Sequence, residues 1–182
     1  MDNGASSYRR FLNGEKEAFN EIITEYRDGL TFFIDRYVQD VFTAEDIVID
    51  VFTDLIVHKY RYNFKVSLKT YLYMMGRSRA LDYLKRKKRI TFTSLDEGDE
   101  VASRELLEDV ILKDEQKKMV HSAIKQLPEQ MQEVLHLIYF EELTYEQAAI
   151  IMKKSRKQID NLLYRSKNML RTILGKEGEQ LI

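Results

Sequence analysis

The chain has 182 residues, 44% of them apolar, with seven glycines, one proline and no cysteine. That composition allows one domain or two small ones, disfavours a turn-rich β fold, and excludes disulfides and thiolate chemistry. Net charge is −1, from 29 basic and 30 acidic side chains, so affinity for a polyanion must come from local clustering rather than overall balance. No apolar run has the length of a signal peptide or a membrane span, and the missing cysteines fit a reducing compartment. The expectation is a cytoplasmic protein.

The first 54 residues are acid-rich and strongly periodic. A short helix near 5–12 is weakly signalled. Residues 15–38 carry Phe19, Ile22, Ile23, Tyr26, Leu30, Phe33, Ile34 and Tyr37 at helical spacing, an amphipathic stripe. Thr43 is placed to cap the next helix, which runs to about His58 with Ile47, Val48, Val51, Phe52 and Leu55 inward. Glu45, Asp46, Asp50 and Asp54 line one region of that helix. They could ligate a divalent ion only with oxygens from a second element, so a solvated stripe or a face for a basic partner helix is the simpler reading.

Arg61 to Val66 breaks the helical pattern, and Ser67 caps a helix running to about Lys87 with Leu68, Tyr71, Leu72, Met75, Leu81 and Leu84 inside. Between Lys65 and Arg89 the cations are Lys65, Lys69, Arg77, Arg79, Lys85, Arg86, Lys87, Lys88 and Arg89, opposed only by Asp82. Tyr62, Phe64, Tyr71 and Tyr73 are interleaved with them. Rings that stack on bases, beside cations that follow a backbone, are what single-stranded nucleic acid requires. Two readings stand for these rings, base contact or core. Tyr71 favours core, whereas the loop positions of Tyr62 and Phe64 leave both open.

Residues 90–111 are acidic and aperiodic, and read as a linker with one turn of helix near its end. Helices resume near 113–126, 129–140, 144–152 and 155–174. Pro128 suits a first helical turn and Glu129 the positive end of its dipole. Thr144 and Ser155 are caps for two helices separated by a short break at Lys153-Lys154-Ser155. Ala148, Ala149 and Met152 give the first of them a small inner face. Ile159, Leu162, Leu163 and Met169 give the second an inward stripe, leaving Arg156, Lys157, Gln158, Asn161, Tyr164 and Arg165 outward. This is the layout of a helix-turn-helix, whose second helix enters the DNA major groove. A solvated basic face is the alternative. The fold class expected is all-α: two small helical domains, residues 5–89 and 112–175, joined by the acidic linker 90–111. Residues 175–182 read as a frayed tail.

No catalytic residues emerge. His58, His121 and His136 have no neighbours at ligand spacing, and no Gly-rich phosphate loop or nucleophile arrangement can be assembled. Neither a metal site nor a cofactor is expected.

With these regions in hand, the chain resembles the extracytoplasmic-function (ECF) sigma factors of bacterial RNA polymerase. AEDIVIDVF (44–52) looks like the acidic motif that docks on the polymerase clamp helices. SLKTYLYMMGRSRALDYLKRKKR (67–89) resembles the helix that engages the −10 element. Residues 127–170 are similar to the −35-binding domain. The resemblance implies a region 2-like domain over 5–89 and a region 4-like domain over 112–175. Its implied partners are core RNA polymerase (clamp helices and flap), promoter DNA and an anti-sigma protein, with no membrane insertion.

It further implies that Asp46 and Asp50 hold the polymerase. Tyr62 or Phe64 would stack on an extruded −10 base, with Lys65, Lys69, Arg77, Ser78 and Lys85 nearby. Arg156, Lys157, Gln158, Asn161, Tyr164 and Arg165 would contact the −35 element. The chain departs from the family pattern at Tyr71 (commonly Trp), Ser78 (often Asn), Lys153 (often Gly), and Asp160 and Leu162 (usually basic). A self-sufficient helix-turn-helix regulator, with the first half as a dimerisation or ligand domain, is the rival reading.

Overall fold

The structure, a computed structural model, describes residues 4–93 and 115–175. Every regular element among the described residues is helical, and none of these helices is long and apolar enough to cross a membrane. The chain divides into two compact units, Met1–Leu107 and Glu108–Ile182.

The first unit holds α1 (Ala5–Leu12), α2 (Glu17–Val38), α3 (Val41–Val57) and α4 (Leu68–Thr93). α2 is the hub, packing on the other three. Its Phe19, Ile22, Tyr26, Leu30, Phe33 and Ile34 are buried at the spacing the sequence predicts, each stabilising the fold by about 1.5–3 kcal/mol. Gly76 lets α4 approach closely: a Cβ there would stand 3.0 Å from the side chains of Leu30 and Ile34.

Two helix ends differ from expectation. Gln39 takes a left-handed φ of 54° and ends α2, so the chain reverses early and Asp40 occupies the cap position of α3. Thr43 falls in the first turn instead, its hydroxyl donating to the Asp40 carboxylate at 2.7 Å. α4 continues to Thr93 rather than ending near Lys87, because the basic run contains good helix formers and no breaker. The start of α4 is as predicted, with the Thr70 N–H donating to Ser67 Oγ at 3.1 Å.

The second unit holds α5 (Glu115–Lys125), α6 (Glu129–Leu135), α7 (Tyr145–Met152) and α8 (Arg156–Leu174). α6 loosens into a π-helical turn at His136–Phe140, so the single helix expected over 129–140 changes character midway. Pro128 sits one residue earlier than predicted, at the cap position, with Glu129 opening the helix. The core gathers Leu127, Met131, Val134, Leu137, Ala148, Ile151, Ile159, Leu163 and Leu170. Met169 is exposed, contrary to expectation. From Ile159 and Leu163 the inward line continues through Ser166 to Leu170, and Met169 lies off it. The turn of helix expected near the end of the linker lies outside the described residues.

Candidate nucleic-acid interface

The loop between α3 and α4 is built from side-chain hydrogen bonds and rings. Asn63 Oδ1 accepts from the Lys65 N–H at 3.1 Å, an Asx turn that reverses the chain. Between them Phe64 holds a φ of 61°, a left-handed conformation that bulky residues rarely adopt. The surroundings keep it there. Tyr62 lies 4.7 Å from the Phe64 ring, and Tyr8 of α1 meets Tyr62 edge-on at 5.3 Å. The Tyr8 hydroxyl donates to the Lys59 carbonyl at 2.7 Å.

Of the two rings expected to face a base, Tyr62 does not reach the surface. It is 3% exposed, and its hydroxyl donates to the Val66 carbonyl at 2.7 Å, closing the loop from within. Phe64 is half-buried and presents the outer ring of the pair. Tyr71 is half-buried against Tyr62 at 5.1 Å; burial raises its pKa.

Along α4, Ser78 and Lys85 stand two turns apart on the exposed side, Lys85 beside Asp82 at 3.4 Å. Lys69 is half-buried with its ammonium 5.6 Å from the Tyr73 ring centre, and Arg77 is half-buried at the flank. Lys65 is exposed at the loop. Sequence reasoning missed a charge cluster behind this loop. Asp54 lies 3.4 Å from Arg61 and 3.6 Å from Arg79, whose other nitrogen is 3.7 Å from Asp50. His58 is a third neighbour of Asp54 at 3.7 Å. Asp50 and Asp54 therefore face cations, as does Glu45, which pairs with Arg27 at 3.5 Å.

α3 also carries large apolar side chains outward. Phe42 (67%), Ile49 (61%), Ile56 and Val57 are exposed beside Asp46 and Asp50. A groove of about 420 Å³ between α2 and α3, lined by Phe19, Ile23, Val48, Ile49, Phe52 and Ile56, continues this surface. An apolar and acidic helix face of this kind suits a partner helix.

In the second unit both helices of the helix-turn-helix begin with reciprocal capping. Thr144 Oγ1 accepts from the Gln147 N–H and Gln147 Oε1 accepts from the Thr144 N–H; Ser155 and Gln158 repeat the arrangement. Gln158 is thus partly committed to its own helix. Lys157, Asn161, Tyr164 and Arg165 share the face of α8 opposite Ile159 and Leu163, all exposed, Tyr164 by 68%. Arg156 lies to one side, its Nε donating to Glu146 at 2.8 Å. His121 and His136 are buried while His58 is exposed; among the described residues no three His, Asp or Glu are grouped as metal ligands.

Two family models match the chain in order: Sigma-70 region 2 over residues 22–90 and Sigma-70 region 4 over residues 117–170. Similar over nearly its whole length is the ECF RNA polymerase sigma factor SigM of Bacillus subtilis, 25% identical, covering 86% of this chain and 95% of SigM. The RNA polymerase sigma-H factor of Pseudomonas aeruginosa is 28% identical, covering 88% of each chain. The chain belongs to the ECF sigma factors. It is a transcription initiation factor. Its fold is shared with the sigma factor RpoE of Bartonella quintana, solved with the anti-sigma factor NepR (TM-score 0.65, 19% identity, 86% of this chain and 96% of that one). CnrH, solved with the cytosolic domain of CnrY, is also similar (TM-score 0.63, 16% identity, 94% of each chain).

This sigma factor's departures from its family have physical consequences. Lys153 holds a φ of 54° at the end of α7, the left-handed conformation for which glycine is usual. Asp160 is exposed at the edge of the α8 face rather than at its centre. Ser78 is exposed on α4, with a shorter reach than an asparagine would have.

Proposed function

We propose that this sigma factor binds core RNA polymerase through α3, with Asp46, Asp50 and the outward Phe42, Ile49 and Ile56 as the docking face. α8 enters the major groove of the −35 element, where Lys157 and Arg165 meet phosphates or guanine edges and Asn161 meets an adenine edge. Tyr164, Gln158 and Arg156 lie beside that contact. The α3–α4 loop and α4 engage the −10 element. Phe64 backs the stack that receives an unpaired base, while Lys65, Lys69, Arg77, Ser78 and Lys85 line the strand.

Strand opening then follows from differential binding. Unstacking costs a few kcal/mol per step, and capture of the freed base offsets it. No bond is made or broken by the sigma factor itself, and it works in the cytoplasm beside the polymerase. Residues 5–89 and 112–175 act as the two promoter-binding domains, spaced by 90–111. A protein inhibitor of the anti-sigma class, covering the α3 or DNA surfaces, controls it. The observation that carries this reading is the strained Phe64 at the head of a basic helix, in the same chain as a doubly capped helix-turn-helix.

The test is in vitro transcription with purified core enzyme on genomic DNA, with transcript starts mapped. The expected result is a set of starts sharing two upstream elements. Initiation nowhere beyond that of core alone would overturn the proposal. Tight, selective binding of an inverted repeat by the isolated chain would favour a self-sufficient regulator.

A further inference from the structure

Arg9 is on α1, next to the residue that ties α1 to the loop. Its guanidinium carbon lies 4.9 Å from the centre of the Phe64 ring. Neighbouring Arg10 is engaged by Glu15 and Glu21, whereas among the described residues no carboxylate pairs with Arg9. Tyr8 fixes the geometry: its ring is wholly buried against Tyr62, and its hydroxyl reaches Lys59. Phe64 therefore meets the surface with a cation already laid over it, and Arg9 is the exposed layer.

A guanidinium is planar, permanently charged and weakly hydrated, and it stacks on rings and on nucleobases alike. With an aromatic ring beneath it and solvent above, the next flat group it accepts is an unpaired base. Its charge also draws the phosphate attached to that base.

We propose that Arg9 is a promoter-binding residue whose guanidinium forms with Phe64 a two-layer shelf for an unpaired non-template base. Tyr8 is the positioning residue that holds Arg9 over the loop. The inference rests on the −10 reading of this unit and extends the single-strand site onto α1.

The experiment uses holoenzyme assembled from the full chain and a fork-junction DNA, duplex through the −35 element with a single-stranded non-template −10 overhang. A duplex lacking the overhang is the control. Arg9→Ala should weaken fork binding about tenfold, the scale of one stacked base, and leave the control unchanged. Arg9→Lys, which keeps charge but not planarity, should recover only part of the loss. Arg10→Ala, which removes the same charge one residue away, should match wild type. Placing an abasic site at one overhang position should erase the difference between wild type and Arg9→Ala. The proposal fails if Arg9→Ala binds like wild type, if lysine restores binding fully, if Arg10→Ala falls equally, or if no abasic position couples to Arg9. Wild-type holoenzyme that does not prefer the fork to the control would overturn the −10 reading itself.

Discussion

The Tyr8 hydroxyl and the Lys59 carbonyl meet at 2.7 Å across 51 residues of sequence, joining the first helix to the loop that carries Phe64. Tyr8→Phe keeps the ring contacts and removes only this donor. Urea unfolding should register a loss of about 1 kcal/mol. Burial, and secondarily the nearby tyrosines 71 and 62, raises the Tyr8 pKa above its ordinary value. Stability from the protonated hydroxyl is therefore complete below about pH 10, the unfolded value, and is lost as pH climbs toward the raised folded one. Wild type should lose stability above that point, and Tyr8→Phe should lose less per pH step. Tyr71, raised in the same direction by burial, should leave a residual slope in the variant.

Asp54 gathers Arg61 from the loop and Arg79 from α4. Both cations are substantially exposed, so Asp54→Asn should cost no more than about 1 kcal/mol at low ionic strength. That difference should shrink in high salt. Promoter opening, followed by permanganate reactivity of −10 thymines, should fall more than stability does, because the loop loses its anchor to α3.

Ile49 contributes little to the folded chain because most of its surface already meets water. Ile49→Asp should leave the unfolding free energy within about 0.5 kcal/mol of wild type. Affinity for core polymerase, measured by fluorescence anisotropy, should drop at least about tenfold. Asp50→Ala should have a smaller effect, since Arg79 remains to pair with Asp54.

Within α8, Lys157 and Asn161 should separate affinity from sequence choice. Lys157→Ala should weaken holoenzyme binding across all promoters and lower the salt slope by about one unit. Asn161→Ala should instead flatten preference at a single −35 position by about 1–3 kcal/mol, read by competition among promoter variants. Ser155→Ala removes the hydroxyl that caps the same helix and should destabilise it by about 1 kcal/mol in thermal unfolding.

The helix starts at Ser67, Thr144 and Ser155 were legible because a cap is written within four residues of sequence. α1 was faint for the opposite reason. Its one fully buried side chain is Tyr8, and what fixes that ring comes from Lys59 and Tyr62, far along the chain. Tyr62 and Phe64 could not be told apart because loop positions carry no burial period. Asp54 looked like one more carboxylate of a surface stripe, since both of its arginine partners lie beyond the end of α3. The outward Phe42, Ile49 and Ile56 did leave a signal, a two-turn spacing, but the inward stripe of Ile47, Val51 and Leu55 already satisfied the helix. The π-helical turn after Leu135 had no local signature.

Hydroxyl and amide groups cap both helix starts of the DNA-reading unit, and the Arg156–Glu146 ion pair between those starts is too exposed to add much. Dissolved ions can thus strip this module from a duplex without slackening the module itself. A plot of its binding strength against ionic strength would then report neutralised phosphates alone, uncontaminated by loosening of the protein.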